Sequence, residues 1–255
     1  MFKKAVAALT LFLCLAMIVP SQAEIRGYLK DQGYEYVLLG EYPYEKDGSV
    51  QPVLWRVLDV QDNVALLLTE YLIDTDQIIF VTDQSIIKKH SYRRISSFEE
   101  SDLFPKLSGE YLDRLLGDDP IRNALVPRSN GALVFLLTDA DYMNVNYGFA
   151  NQRWASWPKQ IKSHVAQGTP YAISQKGLYK AHENGMSPYW VDAVKNAKDY
   201  KLQIVGFNGH LSYGAYTRTN IGLRLAMQLD LSQLQVTGGD GTKDTPYQLA
   251  YISNP

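Results

Sequence analysis

A tryptophan-bearing apolar segment, a turn pair and a closing strand follow one another between Pro188 and Leu231, and they commit the chain to antiparallel β structure. Tyr189-Trp190-Val191 has the aromatic and β-branched character of a pleated, packed strand. Leu202 to Phe207, Asn208-Gly209 and His210 to Tyr216 spell a hairpin, because a type I′ turn needs two successive residues at positive φ and Asn-Gly supplies them. Ile221 to Ala226 then reads as a strand with one charged side chain inside it. A buried guanidinium left unpaired is costly, so Arg224 is expected to be a partly buried structural residue held by an acid or by backbone carbonyls. Trp55, Trp190, Asn208, Gly209 and Gly222 are expected to share that structural role.

The N-terminal half supplies a second set of strands. Tyr36 to Gly40 reads as a strand, and Val53 to Val60 alternates, with Arg56 on the face opposite Trp55 and Val57. Gln61-Asp62-Asn63 is a turn, and Val64 to Thr69 is an unbroken apolar run suited to a buried strand, so the three form a meander. Helices are expected to be short. Ser108 is placed to cap Gly109 to Leu116, which Gly117 stops; Asp119-Pro120 opens a segment from Ile121 to Leu125. Leu133 to Leu137 reads as a buried strand, Thr138 with Asp141 as a capping box, and Gln160 to Gln167 as a further helix closed by Gly168. Gly238-Gly239-Asp240-Gly241 precedes polar residues and a proline rather than a helix, which makes it a tight turn between two short strands and not a phosphate cradle. With no repeat or low-complexity linker, the expectation is a single α+β domain of antiparallel sheets, short peripheral helices and long loops.

The leader sets the compartment. Lys3 and Lys4 precede an apolar run of about fifteen residues, and Pro20-Ser21-Gln22-Ala23 offers small residues at a cleavage site. That run is short of the roughly 20 residues that span a bilayer. Residues 1–23 are therefore read as a signal peptide cleaved after Ala23, 24–33 as an N-terminal arm and 34–255 as one exported domain, secreted or periplasmic. Cys14, the sole cysteine, lies in the leader with Leu13 before it, which disfavours a lipid anchor. The remaining 232 residues (255 minus 23) must be stabilised by core burial without disulfides. Removing Lys3 and Lys4 from 25 basic residues leaves 23 against 27 acidic, a net charge of −4. Without a basic patch, nucleic acid is a poor partner, and no membrane insertion is expected once the leader is cleaved.

Chemistry is sparse. Cysteine nucleophiles are excluded in the exported chain, no G-x-S-x-G elbow occurs, and His90, His164, His182 and His210 lack metal-ligand spacing. No cofactor and no metal are expected. Asp74, Asp76 and Asp83 lack the grammar of a calcium loop and read as a solvated face. Glu99-Glu100, Asp118-Asp119 and Asp139/Asp141 are read as helix-start acids, although a glycosidase would need just such a pair across a cleft. Trp154-Ala155-Ser156-Trp157 places two tryptophans three apart. Burial between loop and sheet is the favoured placement for that pair. If exposed, they would stack on a ligand together with Arg153 and Tyr147.

Gly40, Tyr42, Pro43 and Pro52 to Leu68, then Val134 to Thr138, then Trp190 and finally Gly222-Leu223-Arg224-Leu225-Ala226 carry a resemblance. In these the chain resembles a bacterial domain-of-unknown-function family, number 6273, found mainly in exported or surface proteins. The spacing of tryptophan, hairpin and G-x-R is also similar to formylglycine-generating-enzyme-like and C-type-lectin-like folds, which implies a C-type-lectin-like architecture. Asp192 stands where that family carries arginine, and Leu225 replaces its proline. The copper-binding cysteines and calcium-sugar triplets of those relatives are absent. The sequence thus favours a non-catalytic binding or structural domain for a glycan, peptide or surface partner. The alternative is a cell-envelope polymer hydrolase, for which two acids would have to converge with one of them desolvated.

Overall fold

The computed structural model describes residues 24–76, 97–156, 158–194, 201–215 and 220–252. Residues 1–23 with Cys14, together with Asp83, His90 and Trp157, lie outside the described residues.

Strands β1 (Glu35–Pro43), β2 (Val50–Gln61) and β3 (Val64–Thr69) form the expected meander at the centre of a seven-stranded sheet. β10 (Ala226–Asp230) and β5 (Val134–Phe135) extend it on one side, β12 (Tyr247–Tyr251) and β11 (Leu234–Gly238) on the other. A second sheet of five strands runs in the order β4 (Asp74–Thr75), β9 (Gly222–Leu223), β6 (Tyr189–Val194), β7 (Lys201–Val205) and β8 (Leu211–Ala215). The architecture is α+β, with two departures from a purely antiparallel plan: β1 lies parallel to β12, and β6 parallel to β9. Among the described residues no helix is long and apolar enough to cross a membrane.

The meander alternates as its sequence requires. Trp55 and Val57 are fully buried while Arg56 points to the other face, and the Trp55 indole donates to the Leu39 carbonyl at 2.8 Å. β1 is interrupted by a register shift between Leu38 and Glu41, with Gly40 at φ 65°. A Cβ there would lie 2.5 Å from the Leu115 carbonyl oxygen, so only glycine lets the strand and helix backbones approach this closely. The larger hydrophobic cluster draws Val37, Trp55 and Met227 from one sheet and Trp190, Ile204 and Leu223 from the other, so the two sheets share a core.

Both turn assignments change in detail. The two-residue turn with consecutive positive φ is Asp62-Asn63 (50° and 64°), which joins β2 to β3 with Gln61 opposite Val64. At Asn208-Gly209 only the glycine has positive φ (83°), and the turn spans Gly206 to Gly209, closed by Gly209 N–H to the Gly206 carbonyl at 2.8 Å. The hairpin is real, but its connection runs over the five residues 206–210, so β7 stops at Val205 and β8 starts at Leu211.

The expected Ser108 cap is also displaced. The helical stretch begins at Leu103, passes through a π-helical segment at Leu107–Tyr111 and ends at Leu116. Ser101 accepts from Phe104 N–H at 3.1 Å and so performs the capping. Ser108 sits mid-helix, with its hydroxyl bonded to the Val134 carbonyl at 3.2 Å. Residues 160–167 form turns rather than a helix, and the helix of this region is Pro170–Ser174, opened by Thr169 accepting from Ala172 N–H at 3.1 Å. Gly117 does stop its helix, and Asp119 caps the 3-10 turn Pro120–Ala124 by accepting from Ile121 N–H at 2.9 Å. Thr138 and Asp141 exchange the two bonds of a capping box, at 2.8 and 3.2 Å.

Candidate functional site

The end of strand β2 carries Asp59 and Gln61 beside the stretch that follows the 3-10 turn Asp141–Met143, and these residues line a groove of about 940 Å³. Tyr28 and Tyr147 provide its aromatic surface, and Lys30, Asn144, Asn146 and Ser163 complete its polar lining. The loop is built locally. Asn144 caps a further turn of 3-10 helix, Val145–Tyr147, by accepting from Asn146 N–H at 3.0 Å. Gly148 ends it in the left-handed region (φ 77°), where a Cβ would lie 2.3 Å from the Tyr34 hydroxyl oxygen. Tyr34 donates to the Tyr147 carbonyl at 3.0 Å and stacks obliquely on Tyr28, with ring centroids 4.8 Å apart. Ala150 N–H donates to Ser163 at 2.9 Å. Burial, the leading cause, pushes the Tyr147 hydroxyl above its ordinary value, so it stays a neutral donor-acceptor.

The same stretch continues to Arg153 and Trp154. Trp154 is 69% exposed, which corrects the expectation that it is buried. Its indole lies on the His210 ring, centroids 5.2 Å apart at 27°, while His210 Nε2 accepts from Ala155 N–H at 3.2 Å. The imidazole is thus held in place by the backbone beneath the indole. Arg153 pairs with Asp139 at 2.7 Å, and its carbonyl accepts from Leu211 N–H at 3.1 Å. The loop carrying Trp154 is therefore tied to the edge strand β8.

The residues expected to be structural are placed as follows. Trp190 is buried in β6, Asn208 accepts from His210 N–H at 3.2 Å, and a Cβ on Gly209 would meet the Ile161 carbonyl oxygen at 2.4 Å. Gly222 pairs with Tyr189 across the parallel β6/β9 contact, where a Cβ would lie 2.7 Å from Leu72 Cδ1. Arg224 is more deeply placed than expected: it has no exposed surface and donates through Nε to the Thr69 carbonyl at 3.0 Å. Among the described residues no carboxylate bonds to it.

The acids divide into neutralised and strained groups. Asp74, expected on a solvated face, is fully buried because its carboxylate is surrounded by donors: the Tyr42 hydroxyl at 2.6 Å, Arg114 at 3.3 Å and Lys176 at 3.5 Å. Asp76 is matched by Lys106 at 3.1 Å and the Tyr111 hydroxyl at 3.2 Å. Asp192 is different. A parallel bridge between Thr138 and Asp192 brings it to the capping box, with its N–H bonded to the Leu137 carbonyl at 3.0 Å. Burial first, and then the charges of Glu99 and Asp141, push its carboxyl up to about 6 against the opposing effect of Arg128. Glu99 is held below its ordinary value, chiefly by the Asn130 amide at 3.0 Å. Asp141 is engaged by Arg128 at 3.2 Å. Neighbouring carboxyls whose proton affinities are pushed apart are the raw material of acid–base chemistry. Sequence spacing gave no sign of this, because Asp141 nears Asp192 through the pairing of residues 138 and 192, and Glu99 through the packing of the 3-10 turn Phe98–Glu100 on β6.

A narrower slot of about 180 Å³, lined by Tyr42, Tyr44, Tyr71, Pro43 and Pro52, lies on the same molecule. No family model, curated protein or solved structure matches the chain.

Proposed function

We propose that the chain is an exported, non-catalytic domain that binds a glycan along the groove between Tyr28 and Tyr147. The observation that carries this reading is the composition of that groove: two tyrosine rings interleaved with Asp59, Gln61, Asn144 and Asn146. A sugar presents apolar C–H faces that stack on aromatic rings, and hydroxyls that both donate to carboxylates and exchange hydrogen bonds with amides. The open volume suits several linked rings rather than one buried ligand. Trp154, on the same stretch of chain, adds an exposed stacking surface. In this reading residues 1–23 export the chain, and its fold is a C-type-lectin-like member of the family that its G-x-R ending resembles. The test is a glycan and muropeptide screen with the wild-type protein and with Tyr147→Ala. Binding that is lost in the variant supports the reading, and binding to a protein or peptide alone replaces the ligand class.

A second reading, hydrolysis of a cell-envelope polymer, rests on Asp192 and Glu99. Here Asp192, with its carboxyl near 6, is the proton donor, and Glu99 is the ionised partner. Release of reducing ends from labelled envelope polymer by the wild type but not by Asp192→Asn would select this reading over the first.

A further inference from the structure

The turn that joins β7 to β8 gathers exposed aromatic rings and unpaired lysines. Two loops hold it from either side. On one, Ile161 N–H donates to the Asn208 carbonyl at 3.0 Å, and Trp154 lies on the His210 ring. On the other, the Asn184 amide donates to the Phe207 carbonyl at 2.8 Å, and the Tyr179 and Phe207 ring centroids are 6.2 Å apart. Trp154 is mostly in solvent and Tyr179 is 42% exposed; Tyr213, also exposed, belongs to β8 itself. Trp154, Tyr179 and Phe207 line neither the 940 Å³ groove nor the 180 Å³ slot. These rings are arranged about a turn and not around a cavity.

The same two loops carry the lysines. Lys159 and Lys162 bracket Ile161, and Lys180 follows Tyr179. All three are exposed and have no ion pair among the described residues. Elsewhere Lys106, Lys176 and Lys243 each face a carboxylate, at 3.1, 3.5 and 2.7 Å. The acids in and beside these loops are Asp139, engaged by Arg153 at 2.7 Å, and the exposed Glu183. Four cations (Arg153, Lys159, Lys162 and Lys180) thus meet two carboxylates, which leaves a positive surplus on a chain whose net charge is negative. Folding brings the 159–162 and 180 positions to one turn, so no run of basic residues announces the patch.

The two kinds of side chain make different demands on a partner. An ammonium is drawn to an anionic surface, while indole and phenol rings are most stable where an apolar phase meets water. A soluble polyanion would satisfy the lysines and leave the rings in water. A lipid surface with anionic headgroups satisfies both, the lysines at the headgroups and the rings at the acyl boundary. We propose that the β7–β8 turn, with Trp154 and Tyr179 beside it, is a peripheral docking face for a membrane surface bearing anionic lipids. The chain lies on that surface and is not threaded through it. The groove reading is carried by Tyr28 and Tyr147 and does not need Trp154, so the two proposals stand or fall separately.

The experiment is flotation of the purified full-length protein with vesicles of phosphatidylcholine, alone or with about 30% phosphatidylglycerol, at low salt and at about 0.5 M salt. Three unpaired lysines near an anionic surface predict at least tenfold stronger binding to the phosphatidylglycerol vesicles, and a loss of that preference at high salt. The triple variant Lys159→Gln, Lys162→Gln, Lys180→Gln should lose the preference, and Trp154→Ala should weaken binding severalfold. These side chains are exposed, so both variants should keep the wild-type melting temperature. All the proteins share residues 1–23, so any lipid affinity of that apolar run is common to them. Tyr147→Ala should bind vesicles as the wild type does. Equal binding to both vesicle types, binding undiminished in the triple variant, or no binding at all overturns the proposal. Capture by soluble polyglutamate without vesicle binding also overturns it, as does loss of vesicle binding in Tyr147→Ala.

Discussion

Replacing Asp192 with asparagine should stabilise the protein above pH 6 and leave it unchanged below pH 4. In the folded chain burial and the charges of Glu99 and Asp141 push this carboxyl from 3.8 to about 6. The shift is roughly two units, each unit is worth 1.36 kcal/mol, and the total is about 2–3 kcal/mol of strain once the side chain is ionised. The sign follows from proton counting. Between pH 4 and pH 6 the folded state binds the proton and the unfolded state does not, so this residue's contribution falls as pH rises through that window. Asparagine does not titrate. The difference in unfolding free energy, variant minus wild type, should therefore grow by about 2–3 kcal/mol from pH 4 to pH 7, read from urea melts at half-unit steps. Taking the difference cancels the titrating groups that are not coupled to Asp192. A flat difference across the window, or a variant that loses stability above pH 6, would refute the desolvated and acid-flanked placement of Asp192. A protein that keeps an acid under such strain also fits the catalytic reading, since functional carboxyls are held against stability.

Other perturbations test the frame. Arg224→Ala should cost about 3 kcal/mol or more, because it opens a cavity and removes the donors that satisfy the Thr69 carbonyl and the Tyr189 hydroxyl; retention of the wild-type melting temperature would contradict this. Gly40→Ala should be comparably damaging, since the new methyl would meet the Leu115 carbonyl oxygen at a positive-φ position, and denaturant melts would register the loss. Asn63→Gly should raise stability by roughly 0.5 kcal/mol or leave it unchanged, because its φ of 64° is one that glycine adopts without strain. Trp154→Ala should change stability by less than about 1 kcal/mol despite the size of the residue, since its indole is mostly in solvent.

Periodicity carried the β1–β3 meander, because alternation and an unbroken apolar run are local properties of 36–40, 53–60 and 64–69. Caps composed of adjacent residues were equally visible, as at Asp119-Pro120 and Thr138/Asp141. The Thr169-Pro170 pair carries the same signal for the helix Pro170–Ser174, so Gly168 precedes a helix start instead of closing a helix over 160–167. The turn at Asn208-Gly209 illustrates a different limit. The dipeptide predicts a hairpin, but the preceding Gly206-Phe207 decides the loop length and hence the strand ends. What no local pattern contained was distance in sequence. Arg224 meets Thr69 across 155 positions, and Asp192 meets Thr138 through a single bridge between elements. The groove likewise forms only when the end of β2 and the 144–150 loop fold against each other. For Trp154 size argues for burial, whereas the indole lies in solvent stacked on the His210 ring.

Titration calorimetry with the best ligand from a glycan and muropeptide screen tests the proposed binding of a glycan in the groove between Tyr28 and Tyr147. The wild-type protein is expected to bind, with Tyr147→Ala at least tenfold weaker, about 1.4 kcal/mol, while its melting temperature stays close to that of the wild type. Absence of binding to every glycan and muropeptide, or binding undiminished in Tyr147→Ala, would contradict the account.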